Sequence, residues 1–298
     1  MVAIAYALVS AVLYGVSDFL SGVQSRRRHF LLVAAVAQTF SAVGITAVAL
    51  AQRQPLTQTA VLWGAVAATG HCSGTLMLMR GLARGAMHVA GPLSAVCAAG
   101  LPVLLGVALG ERPTALGLVG ILLALPAVWA VAAGESEPGS VPGEAHLVDP
   151  DQPRMPPAHR PDPHAGVRDG LLAGVGFAVF FIALARAGSG SGSWPVAVCQ
   201  LVSLAAMWLL VARARPAGSV RAALPAWVVG VTGSLGSLTY FLAGAAGGGL
   251  TVVPVVASLY PAFTVLLAML VLAERASRTQ VAGLVGCALA VALIAANG

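Results

Sequence analysis

Long apolar runs, each about the length of a membrane-spanning helix, follow one another through most of the chain. A helix that crosses the hydrocarbon core of a bilayer needs about 20 mostly apolar residues. None of the runs alternates polar and apolar residues as a barrel strand would. We therefore predict an all-α membrane protein with ten transmembrane helices. They cover approximately residues 2–22, 29–51, 60–80, 86–109, 114–134, 168–187, 192–212, 223–245, 250–273 and 278–296.

A stretch of different composition, residues 135–167, separates the fifth predicted helix from the sixth. It is rich in proline and charge and has almost no large apolar residues. Such a segment cannot bury a core, so we predict a disordered linker between two units, residues 1–134 and 168–298. The irregular spacing of its histidines favours solvated side chains over a metal site, and we expect neither a metal nor a cofactor. These histidines are His146, His159 and His164.

The two units resemble each other at a register close to 163 residues. Because five crossings is an odd number, two fused copies must face in opposite directions. We therefore predict an inverted 5+5 repeat, a plan that many secondary transporters use. The matched segments are Gly110-Glu111-Arg112 with Ala273-Glu274-Arg275, Ala35-Val36-Ala37-Gln38 with Ala197-Val198-Cys199-Gln200, and Gly120 with Gly283.

Several motifs are similar to those of EamA-type transporters in the drug/metabolite transporter superfamily. Residues 91–134 and 254–296 each contain a Pro- and Ser-bearing helix, a Gly-Glu-Arg-like end and a Gly-bearing apolar helix. The segment Tyr14-Gly15-Val16-Ser17-Asp18-Phe19 resembles the opening helix of such proteins. The resemblance implies a cavity lined largely by helices three, four, eight and nine and by the first helix of each half. It also implies transport, mostly export, of metabolites, amino acids or drugs.

Composition and charge exclude a soluble domain. Apolar residues make up 58% of the chain and charged residues 9%, whereas a soluble domain has about 25% charged residues. Every basic residue except the histidines is Arg, and these lie in short loops without interleaved aromatic residues. We therefore expect this surface to contact a lipid bilayer, that of the inner membrane. We expect no nucleic-acid partner. The predicted loops that share the linker's side of the membrane hold 13 of the 16 Arg, which places both termini outside. The family resemblance implies termini inside.

Asp18 is the only acidic residue well inside an apolar segment. An ionisable group in a membrane is costly, and such groups usually mark substrate or ion pathways. We interpret Asp18 as a residue that exchanges a proton or pairs with a cationic solute. The alternative is that Asp18 reaches the headgroup region, or pairs with Arg26, near the end of its helix.

Other polar residues inside the predicted helices are candidates for the same pathway. Gln38 and Gln200 occupy equivalent positions, where they can bind a polar solute or join two helices by a hydrogen bond. His71 can serve in a proton relay or simply pack in the third helix. Three further candidates could line a cavity, or lie at an interface: Tyr14, Tyr240 and Ser258. The prolines of helices four and nine are expected to break both helices locally, with ordinary kinks as the alternative.

Glu111 and Glu274 are predicted to be structural. Each precedes a hydroxyl residue, Thr114 or Ser277, that can cap the next helix, and Ser277-Arg278-Thr279-Gln280 fits a capping box. A carboxylate near a helix N-terminus is also favoured by the helix dipole. We expect both carboxylates to hold the tight turns between helices.

These features favour a secondary transporter, not an enzyme, that exports small organic solutes by alternating access, with protons as a candidate coupling ion. A fused repeat can work as a monomer, and a homodimer is also open. No Gly-rich loop with Lys for ATP is present. The alternative is a membrane-embedded enzyme acting on lipid or prenyl substrates. The acids are too scattered for its metal site, and no His-Glu-x-x-His or Gly-x-Ser-x-Gly motif occurs. A membrane scaffold without transport activity is the third class.

Overall fold

The computed structural model describes residues 1–25, 28–83, 87–134, 163–273 and 276–296. Within these residues the chain is helical, without a strand, and ten helices are long and apolar enough to cross a membrane. The prediction of an all-α chain with ten crossings is confirmed, and the chain is a multi-pass membrane protein. The predicted linker lies outside the described residues except for residues 163–167, which are helical.

Eleven α-helices make up the ten crossings, because the ninth is divided. They are α1 (Val2–Ser25), α2 (Phe30–Ala51), α3 (Gln58–Ala83), α4 (Met87–Ala108), α5 (Ala115–Gly134), α6 (Pro163–Arg186), α7 (Trp194–Ala214), α8 (Trp227–Ala245), α9 (Val253–Ala257), α10 (Tyr260–Leu272) and α11 (Arg278–Ala295). A short 3-10 helix, Arg221–Ala226, precedes α8. The sixth crossing begins five residues before its predicted start at residue 168, with Pro163 as its first residue. Proline is favoured there because the first turn needs no N–H donor.

The ninth crossing is interrupted between Ala257 and Tyr260. Pro261, in the first turn of α10, has no N–H to bond the carbonyl four residues back, so one backbone hydrogen bond is missing at the break. The hydroxyl of Ser258 donates to the carbonyl oxygen of Val255 at 2.8 Å and helps to satisfy the end of α9. The expected break in the fourth helix is wrong, because α4 remains one helix through both of its prolines.

Contacts between helices show how they run. Ser10 on α1 donates to the carbonyl oxygen of Gly236, and Ser17, further along, donates to that of Val229, so α1 and α8 are antiparallel. The order of close contacts likewise makes α5 antiparallel to α11 and α4 parallel to α6. Successive crossings alternate in direction. We call the side where α1 begins and α11 ends the terminus face, and the side where α5 ends and α6 begins the linker face.

Several contacts between the two halves occur twice, with the roles of the halves exchanged. Tyr14 of α1 packs on Ser237 of α8, and the residues 163 positions away, Phe177 of α6 and Gly74 of α3, pack on each other. A Cβ atom added to Gly74 would lie 2.9 Å from the Phe177 ring. The residues of the α1–α8 contact and those of the α3–α6 contact thus lie 163 positions apart in the sequence.

The same exchange relates α5 to α11. A Cβ atom on Gly120 would lie 2.9 Å from the carbonyl oxygen of Ala290, and one on Gly283 would lie 2.9 Å from that of Ala127. Both glycines allow the backbones to approach closely, which is how helices pack tightly in membranes. These contacts hold α5 and α11 together as an antiparallel pair.

Candidate functional site

A chain of hydrogen-bonding side chains crosses the interior from α1 to α2. The hydroxyl of Tyr14 lies 2.9 Å from that of Ser237, and the side-chain amide of Gln200 donates to the Ser237 hydroxyl at 3.5 Å. The amide of Gln38 then donates to the side-chain oxygen of Gln200 at 2.6 Å. Four helices, α1, α8, α7 and α2, each contribute one residue. The chain therefore joins the two halves through polar groups held inside apolar helices.

The two predicted glutamines meet directly. Gln38 also donates to the backbone carbonyl oxygen of Gln200 at 3.0 Å, so a single side chain bonds two acceptors of one residue. Gln200 is buried, whereas Gln38 is partly exposed. The structure thus shows the interhelical hydrogen bond that was one of the two interpretations. A role for this pair in solute binding stays a prediction.

Asp18 lies on the inward-facing part of α1. Tyr14 and Ser17 on one side of it contact α8, and Gly15 on the other side contacts Tyr260 at the start of α10. The Asp18 side chain is exposed and forms no hydrogen bond or ion pair with the part of the chain that the structure describes. It therefore faces open space between the residues that contact α8 and those that contact α10. Arg26, its alternative partner, is outside the described residues.

The accessibility of this face of α1 changes along the helix. Ile4, Ala7 and Ala11, nearer the terminus face, are buried. Asp18 and Gly22, on the same face but nearer the linker face, are exposed. Residues spaced three, four or seven apart share one side of an α-helix. The interior beside α1 is therefore filled toward the terminus face and open toward the linker face.

An aromatic cluster fills the interior nearer the terminus face. The rings of Phe181 and Tyr240 are 4.8 Å apart, and the Tyr240 hydroxyl donates to the Phe181 carbonyl oxygen at 2.9 Å. Phe180 packs against Phe181 and, with ring centres 5.4 Å apart, against His71. Tyr240 is completely buried, so the expectation that it lines a cavity does not match its position. Its bulk and its hydrogen bond instead join α8 to α6.

Ser258 also lies away from open space. It is 1% exposed, and its hydroxyl is used at the break between α9 and α10. Every residue of α9 is buried. Ser258 therefore stabilises the interrupted helix. It does not line a cavity, although the sequence suggested that it could.

A cavity of about 180 Å³ lies between α2, α3 and α7. Gln38 and His71 line it, together with Cys72, whose thiol donates to the hydroxyl of Ser203 at 3.6 Å. Arg213, near the linker-face end of α7, also lines it. The helices around this cavity differ from those that the family resemblance implied, except for α3. The polar chain reaches the cavity at Gln38.

Glu111 forms its hydrogen bonds with the opposite half of the molecule. Its two carboxylate oxygens accept from the backbone N–H groups of Leu250 and Thr251 at 2.8 and 2.9 Å, just before α9. The predicted caps of the following helices are present at Thr114, for α5, and at Ser277, whose capping box with Gln280 is complete. Glu111 thus holds a turn in the other half. Glu274 lies outside the described residues.

Some residues of the site carried no recognisable sequence signal. Ser237 is one of many serines in apolar helices, and Phe181 has the chemistry of an ordinary apolar residue. Arg213 contributed only to the count of loop charges. A 163-residue register places Phe181 opposite Asp18 in the other half, and this comparison was the one signal that could have selected it.

Comparison with known proteins supports the fold and leaves the activity open. No family model matches the chain, and no curated protein matches it. A solved structure described only as "Crystal structure of protein" superimposes with a TM-score of 0.70 at 19% sequence identity. The match covers 98% of this chain and 95% of that chain. At this identity the likeness concerns the fold alone.

Proposed function

We propose that this chain is a secondary transporter of small organic solutes, working by alternating access as an EamA-like inverted repeat. The observation that carries the proposal is the different environment of two equivalent positions. Asp18 faces open space toward the linker face, whereas Phe181, its counterpart in the other half, is packed against Tyr240 nearer the terminus face. One side of the interior is thus accessible while the other is filled.

Reciprocal contacts support the inverted repeat. In an interface with two-fold symmetry, if residue i contacts residue j, then the equivalent of j contacts the equivalent of i. The Tyr14–Ser237 and Phe177–Gly74 contacts have this relationship. Two halves of this kind can exchange conformations, which would close the interior beside Asp18 and open it beside Phe181.

Asp18 is proposed as the proton-coupling residue. A carboxyl group that faces open space and lacks a fixed partner can gain and lose a proton as the interior changes sides. Purified protein in proteoliposomes should move solute against its gradient when a pH gradient is imposed. Asp18→Asn should lose this pH-driven accumulation, and Asp18→Glu, which keeps an ionisable group, should retain part of it.

Further outcomes distinguish transport from the other classes and test the coupling role. The solute recovered from the vesicles should be chemically unchanged, because a membrane-embedded enzyme would convert it. Equal accumulation by Asp18→Asn and the parent protein, with an equal response to pH, would remove the coupling role. Absence of flux for every solute in a screen of amino acids, organic acids and cationic dyes would contradict the proposed function.

The direction of transport depends on orientation in the inner membrane. Arginine counting places the linker face in the cytoplasm and both termini outside. A reporter that is active only in the cytoplasm, fused to the C-terminus, should then be inactive. Activity of that fusion would favour the orientation that the family resemblance implies.

A further inference from the structure

The cavity between α2, α3 and α7 has chemically different ends. Its inner end contains the side chains of Gln38, His71 and Ser203, and its other end contains Arg213. Ten residues of α7 separate Ser203 from Arg213, a distance of about 15 Å along a helix. Between them the wall is apolar, with Leu76, Met207 and Leu210. The cavity is therefore a narrow apolar slot with polar groups at one end and a cation at the other.

The charge in this slot has no acidic partner within the part of the chain that the structure describes. Among these residues no acidic side chain lines the slot, and Arg213 makes no hydrogen bond or ion pair. Arg213 is exposed, so water can reach its guanidinium group near the linker face. An organic anion entering from that side would meet a cation first and an apolar wall next.

We propose that this slot binds the transported solute and that the solute is a small amphipathic monocarboxylate. This inference rests on the proposed transport function and names its substrate class. The volume of about 180 Å³ exceeds slightly the roughly 150 Å³ of an engineered apolar cavity that holds benzene. A ring-sized apolar body therefore fits beside Leu210, while its carboxylate reaches toward Arg213.

Polar groups at the inner end favour a small solute over a lipid chain. The amide of Gln38 donates to Gln200, and the side-chain oxygen of Gln38 accepts from no donor among the described residues. The ring of His71 likewise has no hydrogen-bond partner there. An acyl chain would place its methyl end against these polar atoms, whereas a short solute leaves room for water to hydrate them.

Binding can be tested separately from transport with three matched probes. These are 3-phenylpropionate, 3-phenylpropanol and 3-phenylpropylamine, which share one apolar body and differ in charge. Affinity is measured by calorimetric titration of the protein in nanodiscs of zwitterionic lipid. The anion should bind more tightly than the alcohol, and the amine most weakly. Arg213→Gln should weaken the binding of the anion about tenfold and leave the affinity for the alcohol unchanged. This is consistent with the loss of one partly exposed charge contact.

Arg215→Gln is the matched control, because Arg215 directly follows the last residue of α7 but does not line the slot. It should leave anion binding unchanged, and an equal loss in both variants would show a general surface effect and overturn the assignment. Leu210→Trp, which fills the slot, should weaken the binding of both the anion and the alcohol. Unchanged binding in this variant would also overturn the assignment. Size-exclusion profiles establish that each variant is folded.

The binding and flux results separate this inference from the proposed function. pH-driven flux of other solutes, with no binding of 3-phenylpropionate, would overturn the substrate class and leave transport standing. Binding that depends on Arg213, with no flux of any solute, would retain the binding site and contradict transport. Binding that anionic lipid abolishes, without flux of the carboxylate, would identify a lipid headgroup as the occupant and overturn the solute assignment.

Discussion

Gln38 donates its side-chain amide to both the side-chain and the backbone oxygen of Gln200, at 2.6 and 3.0 Å. The two residues lie in α2 and α7, 162 residues apart, at positions that the proposed repeat makes equivalent. In the proposed inverted repeat, equivalent residues meet only beside the axis that relates the halves. The two residues are of the same type but have different roles in this contact, since Gln38 is the donor and Gln200 the acceptor. Their positions differ as well, because Gln38 lines the cavity and Gln200 is buried.

Replacing both glutamines should reveal their interaction energy. Met has a similar length but forms no comparable hydrogen bond, so Gln38→Met and Gln200→Met remove the bond with little change of volume. The double-mutant cycle should give a coupling of about 1 kcal/mol, the usual scale for hydrogen bonds between membrane helices. Thermal unfolding in detergent measures it. Gln38→Met combined with Ser277→Ala, at the start of α11, should be additive, and a coupling near zero for the glutamine pair would contradict the contact.

Accessibility of the two halves should differ at equivalent positions. In a background without the four native cysteines, Asp18→Cys and Phe181→Cys place one thiol each at equivalent sites. A water-soluble maleimide should label position 18 at least about tenfold faster, because Asp18 is exposed and Phe181 is only 5% exposed. The labelling rate is followed by mass spectrometry. Equal rates would mean that the interior does not open preferentially toward the linker face.

The crossings could be predicted because the bilayer fixes helix length, so an apolar run of sufficient length already specifies a spanning helix. Proline effects were harder to predict, since α4 contains Pro92 and Pro102 without a break while Pro261 begins a new helix. Membrane helices tolerate proline where neighbouring groups satisfy the freed carbonyls, and this depends on packing that sequence does not show.

The candidate site was predicted only in part, for a similar reason. Asp18 and the two glutamines stand out because polar groups are rare and costly in apolar segments. Tyr240 was assigned to a cavity because its chemistry suits one, but its neighbours decide whether it faces space or Phe181. Arg213 could not be identified from the sequence as a site residue, because only the arrangement of α2, α3 and α7 places it at the mouth of the slot.

The turns at the ends of α4 and α10, which the proposed repeat makes equivalent, provide a paired stability test. Gly110 and Ala273 both adopt the left-handed conformation, with φ of 93° and 54°. Glycine accepts this conformation without strain, whereas alanine pays roughly 1–2 kcal/mol. Ala273→Gly should therefore stabilise the protein by about 1 kcal/mol, and Gly110→Ala should destabilise it by a similar amount. Thermal unfolding in detergent should show shifts of opposite sign, and shifts of the same sign would refute the equivalence of the turns.

Glu111 links the two halves at the terminus face, and its removal should free the turn before α9. The carboxylate accepts from the N–H groups of Leu250 and Thr251, and a hydrogen bond to a charged group contributes about 1.5–3 kcal/mol. Glu111→Ala should lower stability on this scale, and Glu111→Gln, which keeps one acceptor oxygen, by less. Hydrogen exchange of the peptide that contains these amides should accelerate in the same order.

Thr114→Ala supplies the control for that measurement. It removes the hydroxyl that accepts from the Gly117 N–H at the start of α5, so it should destabilise the protein without exposing the amides of Leu250 and Thr251. If Glu111→Ala leaves their exchange as slow as in the parent chain, the carboxylate does not hold this turn in solution. If exchange accelerates while solute flux falls, the same contact also keeps the terminus face closed during transport, because α9 and its buried residues follow directly after the released turn.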